Sequence, residues 1–238
     1  MTSPEYTHGG SAVRHATRTS VTAVVVLAVA LGVLSLHGRA QTAKAAGPRL
    51  YVFDGGVLQS DPARYRLTKE DVGTTELSIG AYLVVHPRGV LLWDTGAVPD
   101  AEWTPTGQPV EQHLVLADKQ QRQVTLKSTL ASQLASTGHS VASVTHLALS
   151  HYHWDHTANA NAFAGALWLA RPADRDAMFG PSPTGTSRPE TYAALRASRT
   201  TLITTPDHDV FGDGTVVLKL APGHTPGHVS VMIESKGE

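Results

Sequence analysis

A dense histidine motif is the feature that most constrains this chain. His151, His153, Asp155 and His156 fall within six positions, directly after the apolar run at residues 144–149. Alternate residues of an extended chain point to the same side, so His151 and His153 can converge on one cation. Asp155 and His156 then face a neighbouring position, because the chain turns there. Imidazole nitrogen and carboxylate oxygen suit zinc and its first-row neighbours, and the motif therefore predicts a metal site at the end of a strand.

The amino-terminal segment has the pattern of a secretory signal. Arg14 and Arg18 precede an apolar run at residues 21–36, and the small-residue triplet Ala43-Lys44-Ala45 follows it. The run is short for a membrane span, which needs about 20 apolar residues. We therefore expect a signal peptide over residues 1–45 and an exported domain over residues 46–238, periplasmic or extracellular. The alternative is an uncleaved anchor, in which case this segment is the chain's contact with a membrane.

Charge and cysteine content exclude several classes of function. The predicted signal contains four of the 19 basic and one of the 20 acidic residues, which leaves the remaining domain with a net charge of −4. A chain without basic runs lacks the positive surface that nucleic acid binding requires, so we expect no nucleic-acid partner. The sequence has no cysteine, so it has no thiol nucleophile, and any metal must be held by histidines and carboxylates.

Hydrophobic patterns predict strands and helices that alternate along the chain. A long surface loop is expected at residues 97–113, where prolines and glycines interrupt any periodicity, and a second break at residues 180–189. A tight turn at residues 86–89 predicts a hairpin. Strands are predicted over residues 49–53, 79–85, 90–93, 144–149, 167–170, 202–205, 215–220 and 229–233, and helices over residues 125–137, 157–163, 171–179 and 190–198.

Two further motifs carry a family resemblance. Asp94-Thr95-Gly96 follows an earlier strand, and the run Pro222-Gly223-His224-Thr225-Pro226-Gly227-His228 follows a later one. Together with the first histidine motif, in this order and spacing, they resemble the metallo-β-lactamase superfamily over residues 49–238. The resemblance implies an α/β fold of the metallo-β-lactamase type, an αββα four-layer sandwich.

The resemblance also implies a set of metal ligands. His151, His153 and His224 correspond to the ligands of a first zinc ion, and Asp155 and His156 to those of a second. Zinc lowers the pKa of a bound water toward about 7 and polarises a carbonyl, which suits hydrolysis of an activated ester or amide. Asp155 is then the catalytic carboxylate, which orients the attacking hydroxide and protonates the leaving atom.

Two further residues are expected to support the metal without binding it. Asp94 corresponds to the family's buried carboxylate that orients the metal loop, and the alternative is a strand-end aspartate that caps its own turn. His228 corresponds to the family's second loop histidine, for which we expect a structural role.

Within the superfamily the chain most resembles the N-acyl homoserine lactonases. The similarity lies in residues 49–53, 150–163 and 171–179. It implies a metal-dependent hydrolase that acts on a small-molecule ester, lactone or lactam, and we expect it to open a lactone. Three alternatives stay open, namely a thioesterase similar to glyoxalase II, an exported β-lactamase, and an exported metal-binding module without catalytic activity.

One departure from the family pattern concerns the second zinc ion. The family's metal-bridging aspartate lies on a strand after the second histidine motif, and the sequence reaches Glu238 before such a residue. We therefore expect the C-terminal part of the fold to be missing from this sequence. A complete family member holds two zinc ions, and the residues present here predict one.

Overall fold

The computed structural model describes residues 47–106, 108–112, 122–181 and 186–234. The predicted signal peptide lies outside the described residues, as do parts of the two predicted loops. None of the helices in these ranges has both the length and the apolar character that crossing a bilayer requires.

A large mixed sheet forms the centre of the domain. Its strands are β1 (Arg49–Gln59), β2 (Glu76–His86), β3 (Gly89–Trp93), β4 (Val110–Gln112), β5 (Arg122–Thr125), β6 (His146–Ala148), β7 (Leu167–Ala170) and β8 (Thr200–Leu202). Within the described residues these eight strands lie in the order β4-β5-β1-β2-β3-β6-β7-β8. The first five strands pair antiparallel, whereas β3, β6, β7 and β8 run parallel. The carboxyl ends of four neighbouring strands therefore meet at one edge of the sheet.

A smaller antiparallel sheet packs on one face of the large sheet. It consists of β9 (Asp207–Asp209), β10 (Val216–Leu220) and β11 (Val229–Ile233), with β10 in the middle. Large-sheet residues such as Leu91 and Trp93 share a buried apolar cluster with Phe211, Leu218 and Val229. Burial of each such side chain contributes about 1.5–3 kcal/mol, and this cluster holds the two sheets together.

Within the part of the chain that the structure describes, four short helices lie over the opposite face of the large sheet. They are α1 (Leu130–Ser136), α2 (Trp154–Thr157), α3 (Pro172–Phe179) and α4 (Pro189–Tyr192). Leu134, Met178 and Tyr192 are buried in one cluster with Leu147 and Trp168 of the sheet. The described residues thus build a helix layer and two sheet layers of the predicted four-layer α/β sandwich.

Several predicted elements are confirmed, with changes at their ends. The hairpin turn joins β2 to β3, with His86 opposite Gly89. β7 matches its predicted residues 167–170, and β11 matches residues 229–233. The predicted helix at residues 157–163 is instead α2 followed by a separate 3-10 turn at Ala160–Phe163, and the strand predicted at residues 202–205 is Thr200–Leu202.

The prediction for the segment around residue 125 was wrong. Residues 122–125 form β5, which pairs with β1 and with β4, so the predicted loop 97–113 ends in a strand. The helix predicted from residue 125 begins only at Leu130, where the Thr129 hydroxyl accepts a hydrogen bond from the Ser132 amide. Asp100 adds a second cap, since its carboxylate accepts from the amides of Leu130 and Ala131 at 2.8 and 2.9 Å. Tertiary pairing and capping, rather than the leucine spacing, fix this boundary.

Candidate metal centre

Parallel pairing of β3 with β6 brings two of the sequence motifs together. Trp93 lies beside Ala148 in the sheet, so the residues that follow each strand leave the same edge. Asp94 follows β3, and Ser150 and His151 follow β6 by two and three residues. Polar groups at the carboxyl ends of neighbouring parallel strands are well placed to share a site.

The side chains of His151, His153 and His224 converge. The distance from His151 Nε2 to His153 Nδ1 is 2.9 Å, and that from His153 Nδ1 to His224 Nε2 is 3.0 Å. One nitrogen from each of the three lies within 4.8 Å of the others. Nitrogens bound tetrahedrally to zinc at about 2.1 Å lie about 3.3 Å apart, so small side-chain movements give zinc geometry. The three imidazoles therefore fit a zinc ion.

A second group of potential ligands overlaps the first. His151, Asp155 and His156 each offer an atom within 4.8 Å of the other two. Asp155 Oδ2 lies 3.6 Å from His156 Nε2, and both side chains are about one quarter exposed, at 25% and 24%. Because His151 belongs to both groups, the two sets of ligands are adjacent.

Asp94 lies behind the histidines and bonds to Ser150 and His156 through its two carboxylate oxygens. Its Oδ1 accepts a hydrogen bond from the Ser150 amide at 2.6 Å, and its Oδ2 lies 2.8 Å from His156 Nδ1. The side chain is buried, and the backbone has a left-handed φ of 59°. Such a conformation is uncommon outside glycine, although aspartate tolerates it better than most residues. The carboxylate thus bonds to a segment distant in sequence, not to an amide of its own turn.

Thr95 and Gly96 form backbone hydrogen bonds to the segment that carries His156. The Thr95 amide donates to the His156 carbonyl at 2.8 Å, and the Ala158 amide donates to the Gly96 carbonyl at 3.1 Å. Gly96 has a φ of 76°, and a Cβ there would lie 3.1 Å from the Gly55 backbone. Both the conformation and the close approach require glycine, which explains the Asp-Thr-Gly motif physically.

Ser150 is a site residue that the sequence analysis missed. It is buried, and its hydroxyl lies 3.0 Å from His151 Nδ1 and 3.2 Å from His156 Nδ1. A partner at Nδ1 leaves Nε2 of the same ring free to bind a metal. The sequence signal that could have identified Ser150 is its position directly before the histidine motif.

Burial and charge set the protonation of the cluster. Burial, followed by the nearby His156 and His153, holds the pKa of His151 far below its usual range. Burial and the neighbouring His224 lower the pKa of His153 to about 4. Burial also acts to lower the pKa of His156, but the Asp94 carboxylate outweighs it and raises that pKa to about 9. His151 and His153 are therefore neutral at pH 7, the form in which imidazole binds metal.

The second histidine motif lies in the loop between β10 and β11. His224 is exposed, whereas Thr225 and Gly227 are buried. The His228 ring centroid lies 5.1 Å from that of His151, and the His228 carbonyl accepts from the Ala221 amide at 2.8 Å. Among the described residues, His228 is in neither group of potential metal ligands.

Comparisons with known proteins agree on one family. A family model described as the metallo-beta-lactamase superfamily matches residues 74–238. An N-acyl homoserine lactonase, AttM, of Rhizobium radiobacter is 26% identical over 192 residues, which are 78% of this chain and 70% of AttM. AttM of Azorhizobium caulinodans is 24% identical over 194 residues, with the same coverage of 78% and 70%.

Solved structures show the same fold. An N-acyl homoserine lactone hydrolase with the product N-hexanoyl-L-homoserine at its catalytic metal centre superposes with a TM-score of 0.64 at 22% identity, over 80% of this chain and 72% of that one. AidC, described as a dizinc quorum-quenching lactonase, gives a TM-score of 0.54 at 18% identity, over 82% and 70% of the two chains. At such identities the likeness establishes the architecture alone.

Proposed function

Since the chain belongs to the metallo-β-lactamase superfamily, we propose that this metal-dependent hydrolase uses zinc to open the ring of a lactone, with N-acyl homoserine lactones as the substrate class. The observation that carries the proposal is the convergence of His151, His153 and His224 within 4.8 Å. The names of the AttM relatives support the substrate class.

The three histidines are proposed to hold the more tightly bound zinc. They supply three imidazole nitrogens, whereas the second group has only Asp155 and His156 left once His151 is engaged. His156 is further committed through Nδ1 to Asp94, which leaves Nε2 for a metal. A second divalent ion is therefore expected to bind more weakly to the residues described.

Zinc, when bound, lowers the pKa of water and polarises a substrate carbonyl. Asp155 is proposed to be the proton carrier, since its partly exposed carboxylate lies beside the potential metal ligand His156. It accepts a proton from the water that attacks the carbonyl carbon, and donates it to the ring oxygen when the carbon–oxygen bond breaks. The product is an open hydroxy acid. Asp94 and Ser150 fix the imidazoles meanwhile, which keeps the reacting groups aligned.

Metal analysis and a substrate panel test this function together. Zinc content is measured on the purified wild type, on His153→Ala, and on His146→Ala, a histidine of the same strand region outside both ligand groups. Acid release is then followed with an N-acyl homoserine lactone, a β-lactam and a thioester. We expect zinc and lactone opening in the wild type and in His146→Ala, and loss of both in His153→Ala. Preferred turnover of the β-lactam or the thioester contradicts the substrate class, and zinc without any turnover favours a metal-binding module.

We propose in addition that the protein is exported. The support is the pairing of Arg14 and Arg18 with the apolar run at residues 21–36 and the triplet Ala43-Lys44-Ala45. The mature protein is expected to begin near Ala46 in the periplasm or outside the cell. Amino-terminal sequencing of the exported form tests this, and an intact Met1 on membrane-bound protein contradicts cleavage.

A further inference from the structure

A buried carboxylate on α3 has no part in the proposed hydrolysis. Asp174 lies in the first turn of α3 and is only 7% exposed. Burial raises its pKa to about 6, an effect that the nearby Thr225 hydroxyl and the Gly227 amide oppose. Burying a carboxylate is unfavourable, and a hydrogen-bonding contact to the buried group offsets part of that cost.

That contact is with the loop that carries His224. The Gly227 amide donates to Asp174 Oδ1 at 3.1 Å. Two residues further on, the Val229 amide donates to the Ser150 carbonyl at 3.0 Å. The loop is thus attached on one side to α3 and on the other to the segment that precedes His151.

Burial along the loop shows which residues determine its position. His224 is exposed, and its Nε2 faces His153 Nδ1, whereas Thr225 and Gly227 are buried. An exposed side chain cannot fix a loop by packing. The buried residues on its carboxyl side must do so, and of these Gly227 bonds directly to Asp174.

Gly227 is a glycine because Asp174 leaves no room for a side chain. A Cβ at this position would lie 2.7 Å from Asp174 Oδ1, 2.8 Å from its Cγ and 3.0 Å from Arg171 Cβ. Gly227 is not among the residues with positive φ, so its backbone conformation allows any residue. Packing against the carboxylate, rather than the turn geometry, selects the glycine.

The neighbouring cation of α3 is engaged elsewhere. The Arg171 guanidinium donates to the carbonyls of Ile203, Thr205 and Pro206. It fixes the segment that leads into β9, while Asp174 fixes the loop after β10. Two residues of one helix turn therefore attach to two different segments of the smaller sheet.

We propose that Asp174 is a positioning residue that holds the loop at residues 222–228 through the Gly227 amide and so places His224 for the metal. This inference rests on the proposed function, since it assumes that His224 binds zinc. It requires that loss of the carboxylate weakens metal binding although Asp174 does not touch the metal.

Four single variants and one double variant test the proposal on the full chain, with His224→Ala as a reference. Asp174→Ala removes the acceptor, Asp174→Asn keeps an oxygen for the Gly227 amide, and Asp176→Ala is a matched control at an exposed position of the same helix. Gly227→Ala introduces the Cβ that collides with Asp174, alone and together with Asp174→Ala. Zinc affinity is measured by chelator competition, and cobalt-substituted samples are compared by visible absorption, which reports the coordination number and geometry of the metal.

We expect Asp174→Ala to weaken zinc binding about 10- to 100-fold, the usual effect of losing a group that supports a ligand. Its cobalt spectrum should resemble that of His224→Ala, while Asp174→Asn and Asp176→Ala keep wild-type spectra. Gly227→Ala alone should also weaken binding, but should add little to Asp174→Ala, because the missing carboxylate makes room for the methyl group.

Three results distinguish failure of the proposed function from failure of the role proposed for Asp174. A wild type that binds no zinc contradicts the proposed function and the inference together. Zinc-binding wild type with unchanged affinity in Asp174→Ala contradicts the inference alone. If Asp174→Ala does not fold, Gly227→Ala decides the question, and wild-type affinity in a folded Gly227→Ala overturns the proposal.

Discussion

Histidines cluster at both ends of the parallel strands β3 and β6, and the two clusters are built differently. At the carboxyl ends, nitrogens of His151, His153 and His224 face one another at 2.9 and 3.0 Å. At the amino ends, His86 stacks on Phe211 with ring centroids 4.4 Å apart, and His146 meets the same ring edge-on at 5.3 Å. The first cluster surrounds a space that a cation can enter, whereas a phenyl ring occupies the centre of the second.

Hydrogen bonds reinforce this difference. His86 Nε2 lies 2.9 Å from Asp213, and His146 Nδ1 lies 2.8 Å from the Thr145 hydroxyl. These nitrogens are committed to separate partners, and among the described residues neither histidine is in a group of potential metal ligands. Histidine content alone therefore does not make a metal site, because the free nitrogens must also converge. We expect one cluster to bind metal and the other to stabilise the fold.

The largest expected effect comes from removing two ligands at the carboxyl-end cluster. His151→Ala with His153→Ala should abolish zinc binding and lower lactone turnover by more than about 100-fold, beyond what the loss of a supporting residue causes. The pair His86→Ala with His146→Ala is the matched change at the other end, and should leave zinc content intact. Equal zinc loss in both double variants, measured by elemental analysis, would remove the distinction between the clusters.

Two aspartates, one near each end, should respond to pH with opposite sign. Burial raises the pKa of Asp174, near the carboxyl-end cluster, to about 6 from 3.8. The folded chain holds this proton more tightly than the unfolded chain. The protonated carboxyl therefore contributes fully to the stability of the fold below pH 3.8, and this contribution is lost as pH rises through 6. Relative to the wild type, the unfolding free energy of Asp174→Asn should therefore rise by about 2 kcal/mol between pH 4 and pH 8. Chemical denaturation of metal-free protein at each pH measures this gain. Arg171 and His151, which line the same cavity as Asp174, are kept as in the wild type.

Asp213 is the matched group at the amino end. Hydrogen bonds from the Thr215 hydroxyl and amide, with His86 nearby, lower its pKa to about 2. Its contribution to stability is present above pH 3.8 and is lost as pH falls through 2. The loss of unfolding free energy caused by Asp213→Asn should therefore be smaller at acid pH than at neutral pH. A larger loss at acid pH contradicts a stabilising role of the Asp213 carboxylate.

A smaller effect is expected from Asp94→Asn. Asparagine tolerates the left-handed φ of 59° at this position, so the change isolates the carboxylate from the backbone. Zinc affinity should fall about 10- to 100-fold with the fold retained, because His156 loses its charged partner. Chelator competition and circular dichroism measure the two quantities, and unchanged affinity would leave Asp94 with a purely structural role.

The smallest expected effect is that of His86→Ala. The variant loses the stacking on Phe211 and the bond to Asp213, which should cost about 1–2 kcal/mol of unfolding free energy. Zinc affinity should not change. A fall in zinc affinity without a fall in stability would show that the amino-end cluster acts on the metal site.

The clustering of the candidate metal ligands could be predicted from the sequence because they lie in short motifs. His151, His153, Asp155 and His156 are contiguous after an apolar run, so strand geometry alone suggests their convergence. The carboxyl-terminal ends of β3 and β6 were also predictable, and with them the neighbourhood of Asp94. A local sequence pattern is sufficient to predict a group of candidate ligands when those ligands are close together along the chain.

Contacts between distant segments were not predictable in this way. Asp174 contacts the Gly227 amide on another element, and nothing in its immediate sequence marks it. Ser150 directly precedes the histidine motif, but its contact with Asp94, 56 residues away, becomes evident only in three dimensions. β4 and β5 are too short and too polar to show a period, and the pairing of β4 with β5 and of β5 with β1 becomes evident only in three dimensions. For the same reason, the leucine spacing near residue 126 suggested a helix from residue 125, where β5 ends and α1 has not yet begun.

The separation of His224 from the first motif along the chain also bears on how the protein folds. His151, His153 and His156 lie within six residues and can chelate a metal before the sheets form, whereas His224 is 71 residues from His153. Bringing the ends of such a loop together costs about 4 kcal/mol of chain entropy by its length alone. During refolding with zinc we therefore expect capture of the ion by the local motif first and closure of the long loop last. The rate at which zinc becomes resistant to a chelator then reports the docking of the smaller sheet.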